Sequence, residues 1–188
     1  MANKDIPEPW LSFLKEIDQS LESEIPFHCF GGFAITMLFG LPRETADMDV
    51  VGAVVRDQHD ELQRIAGKGS SLHQKHKVNL DLVGTIAVLP DSYEDRLIPI
   101  ETGFLNRIRL YSMEPHDIIL AKLGRDAPKD NHDVRYLAKV AELDTELLRS
   151  RYRSELYPYV IGPPERSDRT LEHWIQMIEE IQAATSTT

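Results

Sequence analysis

Asp47 and Asp49 flank Met48 at the head of an apolar, β-branched run, DMDVV. In a strand, residues two apart project to the same face, so these carboxylates stand side by side while the methionine points the other way. Like charges that close raise one another's pKa and repel. A divalent cation reverses the penalty, and carboxylates are the usual protein ligands of Mg2+, with water and phosphate oxygens in its remaining positions. A third acid, Asp81, lies in the apolar segment NLDLVG, where an isolated buried carboxylate is costly. If that segment is a strand beside the first, Asp47, Asp49 and Asp81 can hold two Mg2+ ions about 3.5–4 Å apart, an arrangement that promotes in-line phosphoryl transfer. The alternative for Asp81 is an outward-facing position on a half-buried strand.

The other half of such a site is Gly31-Gly32, between the apolar runs IPFHCF and FAITMLF. Glycines at a strand-to-helix turn let backbone N–H groups approach a phosphate, and the helix N-terminus that follows favours anions. A simple strand terminator is the plainer reading of the two glycines taken alone.

Taken together, FGGFAITMLFGLPRETADMDVV resembles the hG[G/S]…Dh[D/E]h motif of the polymerase-β-like nucleotidyltransferase superfamily. Pro42-Arg43-x-Thr45-x-Asp47-Met48-Asp49 resembles the form found in small bacterial members. Downstream, EPHDIILAKLGRDAPKDNHDVRYLA is similar to a segment of the abortive-infection, toxin-type nucleotidyltransferases and of a related uncharacterised family. The likeness spans roughly residues 27 to 140.

The resemblance implies an NTP substrate, with Gly31 and Gly32 at its phosphates, Asp47 and Asp49 as metal ligands, and Thr45 among the nucleotide-binding residues. Lys122 becomes a triphosphate-facing cation, and Asp130 or Asp133 a polar residue of the site. Asp81 is then the acceptor-side base or a further metal ligand. Arg125, one turn after Lys122, offers a second cation, and Asp133 can orient Lys122 through a charge-assisted hydrogen bond. Arg43 either bridges phosphate or pairs with a carboxylate of the site. The alternative for Lys122 is to snorkel from an apolar helix face. The implied reaction is transfer of a nucleoside monophosphate to an acceptor hydroxyl. By analogy with the toxin-type relatives the acceptor is an RNA 3′ end, tRNA in particular, ahead of a protein side chain or small molecule. The rival is a catalytically silent fold serving as a binding module, for example beside a cognate antitoxin protein.

The elements that must position these residues read as mixed α/β (α+β): a small nucleotidyltransferase-type sheet flanked by helices, then a helical C-terminal part. Trp10, Leu14, Ile17 and Leu21 mark a helix over 9–22, and IPFHCF is a buried strand. A brief helix over 33–39 is stopped by Gly40 and Pro42. The run 48–55 is β-rich, 57–66 helical, and strands are expected within 77–84, 97–101 and 105–111. Helices follow over 115–125, over 131–142, from 145, and over 168–183, with Leu171, Trp174, Ile175, Ile178 and Ile181 on one face. The expected domains are 1–112, the core with its N-terminal helix, and 113–188, the helical part packed on it. The basic stretch from Lys68 to Lys77 reads as a solvated loop. His73, His76, His116 and His132 lack metal spacing and read as surface histidines.

Acids outnumber bases 31 to 21 over 188 residues, a net charge of −10 that argues against a general nucleic-acid coat while leaving room for one local basic face. The one cysteine, Cys29, excludes a disulfide framework and a thiolate zinc site, and suits a reducing cytoplasm. No basic-then-apolar leader opens the chain, and no run of about 18 uncharged apolar residues spans a membrane.

Overall fold

A computed structural model describes residues 6–51, 56–83, 88–123 and 128–185. The chain divides into two compact units, Met1–Gly84 with Leu97–Met113, and Thr85–Arg96 with Glu114–Thr188. The fold is α/β, with one mixed five-stranded sheet in the first unit and four of the helices described below in the second.

In the first unit, α1 (Trp10–Ser20) buries Trp10, Phe13, Leu14 and Ile17, which recur every three or four residues. The Trp10 ring meets the edges of Phe13 and Phe33, at 5.7 and 5.0 Å between centroids. Strand β1 (Ile25–Phe30) runs into α2 (Gly31–Phe39), which ends at Gly40 in the left-handed conformation, φ 71°. The Gly40 N–H closes that helix on the Thr36 carbonyl. Then come β2 (Asp47–Val51), α3 (Arg56–Ala66), α4 (Ser71–His76), β3 (Asn79–Leu82), and, after the excursion into the second unit, β4 (Ile98–Pro99) and β5 (Ile108–Ser112). The strand order is β3-β2-β1-β5-β4, with β1 antiparallel to β2 and parallel to β5, β2 parallel to β3, and β4 antiparallel to β5.

Alternation along these strands sorts the sheet into two faces. Phe27, Cys29, Met48, Val50, Leu80, Ile108 and Leu110 share one and are all buried. The other carries His28, Asp47, Asp49, Asp81 and Tyr111. Asp18 of α1 ties the helix to β5: its carboxylate accepts the backbone N–H groups of Asn106, Arg107 and Ile108 at 2.7–3.1 Å. Burial alone would raise the Asp18 carboxyl, and these N–H donors outweigh it, leaving it below its ordinary value.

In the second unit, α5 (Pro115–Leu120) has proline at its first position and the Glu114 side chain accepting the Asp117 N–H. Helices α6 (Pro128–Val140), α7 (Thr145–Arg151) and α8 (Pro164–Thr185) follow. The π-type turn Tyr152–Leu156 prolongs α7 and a 3-10 turn, Tyr157–Tyr159, comes next. Leu171, Trp174, Ile175 and Ile178 are buried as their spacing predicts, and Ile181 is partly covered.

Three expectations are corrected. The stretch 68–77 is not a loop: α4 forms there, its start capped by the Ser70 hydroxyl, which accepts the His73 N–H. The helix expected over 115–125 ends at Leu120, and Lys122 lies in the turn that follows. His116 is not a surface residue but is buried and hydrogen-bonded. The end of the β-rich run, residues 52–55, lies outside the described residues. Among the described residues no helix is long and apolar enough to cross a membrane.

Candidate functional site

The first unit assembles seven of the expected site residues around the β1–α2 turn and the heads of β2 and β3. Gly31 has φ +70°, and a Cβ added there would stand 1.9 Å from Oδ2 of Asp49. Only glycine both adopts that conformation readily and lets the carboxylate come so near the backbone. Asp49 is 5% exposed, and Phe30 is its partner across β1. On the other side its register partner in the parallel strand β3 is Asp81, with Asp47 opposite Asn79. The three acids thus lie on one face of two adjacent strands, with Met48 and Leu80 buried on the other.

Asp49 also acts through space on Cys29: burial pushes the thiol well above its ordinary range, and the negative charge of Asp49 adds to it. Cys29 is therefore an inert, protonated core residue. The premise that Asp81 is buried does not hold, because its side chain is exposed. Among the described residues, no three His, Cys, Asp or Glu side chains are gathered as a ready-made metal shell.

Gly32 is shaped by the returning loop. A Cβ there would meet Nη2 of Arg43 at 2.9 Å and the Thr45 hydroxyl at 3.2 Å, so its bareness makes room for both. The Thr45 hydroxyl also lies 3.0 Å from Oδ1 and 3.1 Å from the carbonyl oxygen of Asp47. Gly31 therefore borders Asp49 and Thr45 borders Asp47, while Gly32 lies against Arg43 and Thr45. On the adjoining part of this sheet face, His28 and Tyr111 are register partners whose rings meet edge to face at 5.8 Å. The alternation of β1 between Phe27 and Cys29 inward and His28 outward was the signal that could have marked that pair.

The remaining expected residues belong to the second unit. Lys122 is 1% exposed, and its ammonium donates to Oδ1 of Asp130 at 3.1 Å and Oδ2 of Asp133 at 2.8 Å. The hydrogen bond expected between Lys122 and Asp133 is thus present, with Asp130 alongside. Arg125 lies outside the described residues.

A second charge cluster in this unit was not foreseen. Asp117, fully buried, receives Nε and Nη2 of Arg96 at 2.8 and 3.1 Å and Nη1 of Arg151 at 3.1 Å. Arg96 also reaches Glu155 at 2.7 Å, and Arg151 reaches Glu114. Burial favours deprotonation of Arg96, and the hydrogen bonds to Asp117 and Glu155 outweigh it, raising the guanidinium above its ordinary value. The Asp144 N–H lies 2.9 Å from Nε2 of His116, and Nδ1 of the same ring faces Glu114 at 2.9 Å. Burial would raise the Glu114 carboxyl, but the hydrogen bond from His116 and the charge of Arg151 hold it at about 2.

Residues 11–182 match the model of a family described as a nucleotidyltransferase of unknown function, DUF6036. The chain belongs to this family. It is a nucleotidyltransferase-family domain over nearly its whole length, spanning both units, in agreement with the superfamily resemblance of its motifs. No curated protein and no solved structure matches it. Within this family member, the glycine turn, the paired aspartates and the buried Lys122 all fall inside the matched span.

Proposed function

We propose that this chain is a Mg2+-dependent nucleotidyltransferase that moves a nucleoside monophosphate from an NTP to an acceptor hydroxyl. The observation that supports it most is the placement of Asp49: beside the bare backbone of Gly31, two residues from Asp47 and in register with Asp81. The donors are carboxylate oxygens, the class Mg2+ takes, and Asp47 and Asp49, with Asp81 alongside on β3, are the residues that would hold the ions once the triphosphate adds its own oxygens. Bound there, the metal would neutralise charge on the triphosphate and on the acceptor oxygen. The backbone at Gly31 and Gly32 offers the anion-favouring start of α2 to the phosphates, with the Arg43 guanidinium adjacent. Asp81 is proposed as the base that takes the acceptor proton, a role its exposure permits. A cytoplasmic RNA 3′ end, tRNA foremost, is the acceptor proposed from the resemblance to toxin-type relatives, and an antitoxin protein the partner.

The second reading, a silent fold that binds a partner protein, is favoured by the exposure of Asp81, which leaves two of the three carboxylates to make the site. Calorimetry with each NTP and Mg2+ separates these readings. The wild type is expected to bind one or more nucleotides, and at 100 times Kd the melting transition rises by the equivalent of about 2.7 kcal/mol. Asp49→Asn, which keeps size and removes charge, is expected to abolish this. Equal affinity in the variant would remove the metal role of Asp49. Binding without transfer to any RNA end, protein or small-molecule hydroxyl would favour the silent module.

A further inference from the structure

Two carboxylates on the same strand differ in how far they are enclosed. Asp49 is packed against the backbone of Gly31 and almost wholly buried, so its surroundings leave it little choice of rotamer. Asp47 is half-buried, and packing of that kind does not enclose it. What it has instead is the hydroxyl of Thr45, 3.0 Å from its Oδ1. That hydroxyl carries one proton, and of its two acceptors on Asp47 the charged carboxylate is the stronger. Gly32 stands 3.2 Å away at the position its Cβ would take, close enough that any side chain there would press on the hydroxyl.

We propose that Thr45 is a positioning residue, fixing the Asp47 carboxylate in the orientation that receives a divalent cation, and is not itself a nucleotide contact. The inference rests on the reading of Asp47 as a metal ligand. Groups that orient a ligand through a hydrogen bond typically change metal affinity by about 10- to 100-fold when removed. Threonine and valine are close in shape and differ in the hydroxyl, so Thr45→Val removes both contacts of that hydroxyl to Asp47.

The test uses Mn2+ in place of Mg2+, with the free aquo ion followed by electron paramagnetic resonance as full-length protein and a non-hydrolysable NTP analogue are added. Wild type is expected to bind Mn2+, Thr45→Val to bind it about 10- to 100-fold more weakly, and Thr45→Ser to recover wild-type affinity. The melting temperatures of wild type and Thr45→Ser control for folding. If Thr45→Val does not fold, Thr45→Ala against Thr45→Ser makes the same comparison. Unchanged affinity in the hydroxyl-less variant overturns the proposal, as does Thr45→Ser binding as weakly as Thr45→Val, which would assign the effect to the methyl group. A wild type that takes up no Mn2+ would instead remove the metal reading itself, and this inference with it.

Discussion

The buried acids Asp117, Asp130 and Asp133 of the second unit each have a named base: Arg96 and Arg151 for the first, Lys122 for the other two. In the first unit, Asp49 is buried to a similar degree, close against the Gly31 backbone and in register with Asp81, a second acid on the neighbouring strand. The same side chain therefore does two kinds of work in one chain. Where an acid is matched with a base 8 to 34 residues away, its charge is used in holding separate segments together. Where acids are set side by side on adjacent strands, the arrangement gains most from a cation supplied by a ligand. The buried contacts of Lys122 to Asp130 and Asp133 move it toward the residues that build this protein.

The sharpest way to break that contrast is Lys122→Met. A role confined to triphosphate binding would leave stability unchanged. A structural role leaves Asp130 and Asp133 buried without their shared ammonium, and losing one partner of a buried pair costs about 3–5 kcal/mol. Denaturant unfolding followed through Trp174, buried in the second unit, should show a loss of that size.

Acid should act on the second unit through Glu114. Its carboxyl sits at about 2 in the folded chain against an ordinary 4.5, so the unfolded chain binds that proton more readily. The resulting stabilisation is complete above about pH 5, is lost as pH falls, and is gone below about pH 2, amounting to ~3 kcal/mol. Glu155, lowered by Arg96 and the Ser92 N–H against the opposing effect of burial, adds in the same direction. Melting curves between pH 7 and 3 should fall for wild type and flatten for Glu114→Gln. Parallel curves would show that Glu114 is not the group responsible.

The smallest expected effect on stability belongs to Gly31→Ala. A left-handed φ costs a non-glycine residue about 1–2 kcal/mol, and the new methyl must also displace Asp49. The variant should remain folded yet lose Mg2+-dependent nucleotide binding, measured by calorimetry. Retained binding would show that the close approach of Asp49 to the turn is incidental.

How much of this was legible in the sequence depended on the range of the interaction. Strand β1 and the stop at Gly40 followed from local chemistry, an apolar run against glycines and a residue suited to the left-handed conformation. The common face of Asp47 and Asp49 followed from strand alternation alone. Helix α4 escaped because SLHQKH buries no side chain and so shows no apolar period, although its Ser70 cap was readable. Lys122 looked like a helical residue because apolar spacing continues past Leu120 to Leu123, while the backbone turns. The cluster around Asp117 left no local trace: Arg96 lies 21 residues from Asp117 and 59 from Glu155, and no period connects them. Asp81 was misjudged for burial because apolar neighbours in sequence mark the opposite face of a strand as readily as its own.

The second unit takes in residues 85–96, which lie between β3 and β4 in the sequence, ahead of the last two strands of the sheet. As the chain is synthesised, Arg96 emerges ahead of both its acidic partners, and the loop that carries it must wait for them while β5 is still being made. Asp91 waits likewise for the Glu155 carbonyl that accepts its N–H. Neither unit can therefore be completed and released before the other is under way, and a chain ended after residue 113 would leave Arg96 without Asp117 or Glu155. The two units are thus interleaved along the chain, and so in the order of their synthesis.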